Sequence, residues 1–142
     1  AAAALAIAYV LVHEENLIDI EFLANRTNGP SLVDLDTKRI VFDEKTGHSL
    51  YMDSDGEAKP YDRCSAPQLE GTFEVDGRQC STGFTLYKEH LKTYTPEYQE
   101  EITTVPAATI RQIAKELGEA AHIGETIEID GVTLPYRPAA VR

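Results

Sequence analysis

Apolar positions recur at helical spacing near both ends of this chain and alternate in short runs between them. The stretch Thr95–Leu117, TPEYQEEITTVPAATIRQIAKEL, predicts two helices joined by a tight break. Thr95 can cap the first with its hydroxyl, and Pro96 suits the first helical position, where a missing N–H costs nothing. Glu97 then falls in the first turn, where the helix dipole favours an anion. Pro106 repeats the device and turns Val105 away from helical angles. Beyond it Ile110, Ile113, Ala114 and Leu117 make one apolar stripe, with Arg111, Gln112, Lys115, Glu116 and Glu119 on the other faces. Burying each large side chain of that stripe contributes roughly 1.5–3 kcal/mol, so the helix needs a partner surface. This is the pattern of a docking helix and carries no chemistry itself.

The amino-terminal run AAAALAIAYVLVHEENL predicts an alanine-rich helix packed closely against other structure. It has no positively charged leader, and its apolar run stops at His13, too short to span a bilayer. Starting at Ala1 without a capping signal, it reads as a cut helix. Its Leu5, Tyr9 and Val12 are then expected to present exposed apolar surface. Asp19 is a candidate N-cap for a second, shorter helix through Phe22 and Leu23, which Asn28-Gly29-Pro30 ends.

From Ser31 the pattern changes to short runs, SLVDL, RIVF and HSLYM, separated by turn-forming DTK, DEKTG and DSDGEAK. They predict a small antiparallel meander. Ala58–Gln68, with Pro60 and Pro67, reads as an irregular connection. Thr72–Cys80 is a hairpin signal, because Asp76-Gly77 tolerates the positive dihedrals of a tight turn. Phe84, Leu86, Tyr87 and Leu91 suggest a helix, and TIEI-DG-VTLPYR a last hairpin. The expected fold class is α+β: helices at both ends of a small antiparallel meander with hairpins, residues 1–142 forming a single domain or an excerpt of a larger α/β enzyme.

Composition narrows the function classes. Twenty-four acidic residues against 13 basic ones give a formal charge of −11. Nucleic acid demands clustered Lys and Arg, and an anionic membrane surface repels such a chain. Cys64 and Cys80 match neither a zinc ribbon nor a redox CxxC pair. A disulfide between them suits an oxidising compartment, whereas their spacing alone favours two unlinked thiols.

Local motifs fall short of an active site. His13-Glu14-Glu15 resembles the start of a zinc-protease helix, but Leu17 stands where the second His is required. Asp53-Ser54-Asp55-Gly56 resembles a calcium loop, with Tyr51 at the first ligand position and Asp62 at the last; it reads better as an acidic hairpin tip. His13, His48, His90 and His122 share no ligand spacing. Arg26-Thr27-Asn28-Gly29-Pro30 is the best polar turn for facing a ligand, and a helix end followed by Gly-Pro also explains it. No catalytic or metal-ligating residue is assigned, and cofactor-binding residues are left open.

Three blocks together resemble the dimethyl sulfoxide reductase superfamily of molybdopterin oxidoreductases. Leu5–Val33 is similar to its helix pair, L-A-x-A-x-V…E-x-L-x-D-x-E-F-L…T-N. Tyr94–Leu117 carries T-P-E-Y, E-E-I-T and V-P-A-x-T-I-R-x-I-A. Ile127–Val141, with DGVTLPYRPAAV, is similar to members near the phenylacetyl-CoA:acceptor oxidoreductases. The resemblance implies an internal segment of a large catalytic subunit, one that uses molybdenum or tungsten bis-pyranopterin guanine dinucleotide and a 4Fe-4S cluster for two-electron redox chemistry. It places this stretch after the family's Gly-Thr-Asp pterin contact, and Cys64 and Cys80 do not match its iron–sulfur motif. The segment alone is then expected to be inactive and to bind no cofactor. Its partners would be the rest of the catalytic polypeptide and an iron–sulfur electron-transfer subunit, in a prokaryotic cytoplasm or periplasm. A different class of reading is a non-catalytic binding or assembly module with an acidic surface. Substrate, metal and oligomeric state are open.

Overall fold

The computed structural model describes residues 2–139. Ala1, where the first helix was expected to begin, and Ala140 and Val141 of the third block, with Arg142, lie outside the described residues. In chain order the elements are α1 (Ala2–Tyr9), a π-helical turn (Val10–Glu14), α2 (Ile20–Arg26), β1 (Leu32–Asp34), β2 (Leu50–Met52) and β3 (Ala58–Pro60). Then come β4 (Thr72–Val75), β5 (Arg78–Thr82), α3 (Gly83–Leu91), α4 (Pro96–Thr103), α5 (Ala107–Ala120), β6 (Thr126–Ile129) and β7 (Val132–Pro135). The fold is α+β with small antiparallel sheets, as the pattern predicts. The chain divides into two compact units: residues 1–19 with 90–142, and residues 20–89.

The second of these units is built on β-structure. Bridges Val33–Ile40 and Phe42–Ser49, followed by the β2–β3 pair, form the expected meander. RIVF contributes only those isolated bridges and no strand. Conversely, the supposedly irregular Ala58–Gln68 begins with β3, which pairs Leu50 with Pro60 and Met52 with Ala58. Pro60 is tolerated there because β3 is an edge strand. A further pairing skips along the chain: β1 lies beside β5, and β5 beside β4, in the order β1-β5-β4. The hairpin between β4 and β5 turns at Asp76 and Gly77, both at positive φ. Leu32, Val41, Leu50, Met52, Val75 and Cys80 form the core, with Ala58 and Phe73 packed against it.

In the other unit, α1 packs on α4 and α5. The capping logic of the sequence holds at α4, where Tyr98 N donates to Thr95 Oγ1 at 3.3 Å. At α5 it takes a different form. Pro106 occupies the capping position itself, and Ala107 N donates to Glu100 Oε2 at 2.9 Å, a carboxylate lent by the preceding helix.

Two packing expectations are corrected. The buried line of α5 is Ala107, Ile110, Ala114 and Gly118, whereas Ile113 is exposed and Leu117 half-buried. The line is rotated because its small residues permit close approach: a Cβ on Gly118 would stand 2.7 Å from Leu17 Cδ1 and 2.9 Å from Leu11 Cδ2. Likewise, Leu5, Tyr9 and Val12 are half-buried instead of exposed, and α1 turns Ala6 inward, with Val10 buried just beyond its end. The π turn, with Glu15 N donating to Val10 O, re-aims the chain after Tyr9. Among the described residues no helix is long and apolar enough to cross a membrane.

Candidate functional site

The turn Arg26–Pro30 uses most of its polar groups inside its own unit. Thr27 Oγ1 donates to Leu23 O at 2.6 Å and accepts from Gly29 N at 3.0 Å. Thr27 O accepts from Tyr51 Oη at 3.2 Å, and Gly29 O from Phe84 N at 2.8 Å. Only the Arg26 and Asn28 side chains are exposed. The turn is a structural joint that ends α2 and seats the start of α3.

The calcium-like loop has its own cation. Lys59 Nζ donates to Asp53 Oδ2 at 3.0 Å and also to Asp55 Oδ2. Asp53, only 1% exposed, accepts in addition from Ser54 N and Ala66 N at 2.8 and 3.0 Å, and from Ser65 N at 3.3 Å. The lysine and these backbone donors hold the Asp53 carboxyl far below the usual carboxylate range. The paired carboxylates in turn push the Lys59 ammonium upward. The two residues counted as outer calcium ligands are engaged elsewhere. Tyr51 pairs with Lys59 in the β2–β3 register, and Asp62 Oδ1 lies 2.9 Å from His48 Nδ1. Asp53 therefore pins the loop Asp53–Gln68, whose Gln68 side chain returns to Asp53 O at 2.9 Å.

The four histidines are not brought together, and each meets a tyrosine ring: His13 with Tyr9, His48 with Tyr61, His90 with Tyr94, His122 with Tyr136. Centroids lie 4.8–5.4 Å apart. His48 Nδ1 makes no well-directed hydrogen bond despite its distance to Asp62, so that contact is an ion pair only when the imidazole is protonated. Among the described residues no group of three or more His, Cys, Asp and Glu is placed to hold a metal ion. Glu14, from the would-be zinc motif, takes Arg111 in a two-point pair at 2.8 and 2.9 Å, while Glu97 takes the third nitrogen at 2.7 Å.

Both cysteines are free thiols. Cys80 is buried in β5, and burial pushes its thiol up; Cys64 sits in the loop below Asp53 and is raised by burial and by that carboxylate. Neither has the electropositive surroundings of a nucleophile. A 4Fe-4S cluster takes four thiolates, so this chain's two cysteines do not fit one.

Sequence reasoning missed a pair of adjoining clefts in residues 41–78. They measure about 370 and 230 Å³ and share Asp43, Leu50 and Asp76. Glu57 and Glu74 add to the acidic wall of the larger. The signal was present as acidic residues at three hairpin tips, but only the folded pairing brings the tips together. No nucleophile, base and oxyanion donor converge there, and the wall is a solvated acidic surface.

No family model matches the chain. It is 32% identical over 124 residues to a sulfite dehydrogenase subunit from Allochromatium vinosum. That match takes in 76% of this chain and 13% of the relative, so the chain spans about an eighth of the protein it resembles.

Proposed function

We propose that this chain is a scaffold segment of the catalytic subunit of a molybdenum or tungsten bis-pyranopterin oxidoreductase and is inactive alone. The observation carrying the reading is the sulfite dehydrogenase match, which runs along three quarters of this chain and over a small share of that relative. The three resembling blocks support it, and so does where they fold. Leu5–Tyr9 of the first block and Pro96–Leu117 of the second belong to α1, α4 and α5, which pack together although far apart in sequence. The chain's polar groups form joints and pins, and its two thiols do not fit an iron–sulfur cluster. In the full enzyme the cofactor would supply the redox chemistry, and this segment would contribute packing and an acidic surface.

The test is to purify the 142-residue chain and measure bound molybdenum and tungsten, pterin fluorescence after oxidation, and dye-linked turnover. Sulfite is the first substrate to try, followed by an acyl-CoA. The expected result is none of the three signals. Stoichiometric metal or pterin, or turnover, overturns the reading. Sedimentation at several concentrations separates it from the assembly-module reading, which requires one defined oligomer.

A further inference from the structure

We infer that the β6–β7 hairpin is a docking strand pair for a basic, aliphatic-faced β-segment of another polypeptide region. In its register Ile127 faces Leu134 and Ile129 faces Val132. Side chains alternate along a strand, so these four aliphatics share one face, while Thr126, Glu128, Thr133 and Pro135 take the other. All eight strand residues are exposed, the four aliphatics by 40–55%. A lone two-stranded hairpin is marginal in water and gains stability from a further strand or a packed apolar face. Both strands are edges, open to strand addition.

The charge around this face selects the occupant. Glu125 and Asp130 stand at the two ends of β6 and Glu128 on the hairpin's polar face; Glu125 Oε1 also lies 2.9 Å from His122 Nδ1. The nearby guanidinium of Arg137 is already neutralised by Asp19 at 2.7 Å and donates to the carbonyls of His122, Glu125 and Tyr136. A second copy of this chain would bring the same anionic rim against itself, within a formal charge of −11 per chain. Lys or Arg beside Val, Ile or Leu complements both features. The inference goes beyond the redox reading and does not depend on it.

Two synthetic hairpin peptides with the same Val-rich face test it, one carrying Lys on its other face and the other Glu. Binding is mapped by amide NMR shifts on the full chain and on the Ile129→Asn/Val132→Asn variant, which keeps the Asp130-Gly131 turn. The Lys peptide is expected to shift residues 126–135 and to bind the variant at least about ten-fold more weakly. Equal binding of the Glu peptide, shifts confined to the Asp43–Asp76 clefts, or no binding of either peptide at about millimolar concentration overturns the inference. A chain dimer that the variant abolishes overturns it as well, in favour of a second copy. The shift map on the unaltered chain decides the matter even where the variant misfolds. Neither result bears on metal or pterin content.

Discussion

Gly118→Ala separates close packing from helix propensity in a single position. In an unhindered helix interior, replacing Gly by Ala stabilises by about 0.8–1.0 kcal/mol. Here the new methyl would meet Leu17 Cδ1 at 2.7 Å, Leu11 Cδ2 at 2.9 Å and Leu17 Cβ at 3.3 Å. Carbon atoms prefer about 3.5–4.0 Å. The two Cδ atoms can swing away, but Leu17 Cβ is fixed to its backbone, so the helix itself must shift. Overpacking of this kind costs about 1–3 kcal/mol. The net expectation is a loss of up to about 2 kcal/mol where propensity alone forecasts a gain of about 1. Urea unfolding followed by far-ultraviolet circular dichroism measures it, alone and in a Leu17→Gly background, which removes the Leu17 Cβ as well as its Cδ1. With Leu17 truncated, Gly118→Ala should become neutral or stabilising, a coupling of about 1–3 kcal/mol. A stabilising effect near 1 kcal/mol in both backgrounds, with coupling below about 0.5 kcal/mol, refutes the close approach of α5 to Leu11 and Leu17.

The rotated stripe of α5 makes Ile110→Ala lose about 2–5 kcal/mol in the same assay, while Ile113→Ala stays within about 0.5 kcal/mol; equal losses would restore the stripe read from sequence. The Asp53 carboxyl is lowered in the folded state, so the stability it gives is present above the unfolded value of about 3.9 and is lost as pH falls towards the folded value. The protection factors of the Ser54 and Ala66 amides, taken against the intrinsic exchange rate at each pH, should fall on acidification below about pH 4 in the unaltered chain, and Asp53→Asn should show low protection already at about pH 7. Lys59, raised by its two carboxylates, works in the opposite sense: its contribution is complete below the unfolded value of about 10.4 and fades as pH rises through the folded one. Thiol alkylation at about pH 8 should modify Cys64 before Cys80 and both more slowly than free cysteine, because both thiols are raised; faster modification of Cys80 would contradict its burial in β5.

What the sequence determined by itself was local. Thr95 and Pro96 started α4, and Asp76-Gly77 and Asp130-Gly131 turned their hairpins, because caps and positive-φ turns are settled within a few residues; α2 ended at Arg26, just ahead of Asn28-Gly29-Pro30. The α+β class followed from those signals together. Tertiary structure decided which surfaces met. Periodicity marks an apolar stripe but cannot tell that Gly118, with no side chain, lets α5 dock along its small residues and leaves Ile113 in water. Alternation marks β1 and β5 as strands but not as neighbours, since the loop between them is long and its closure leaves no local trace. Asp53 was legible as part of an acidic hairpin tip, but only the β2–β3 pairing brought Lys59 to its carboxylate. Charge and hydrophobicity were legible residue by residue, but their partners were assigned only by chain segments meeting across long sequence separations.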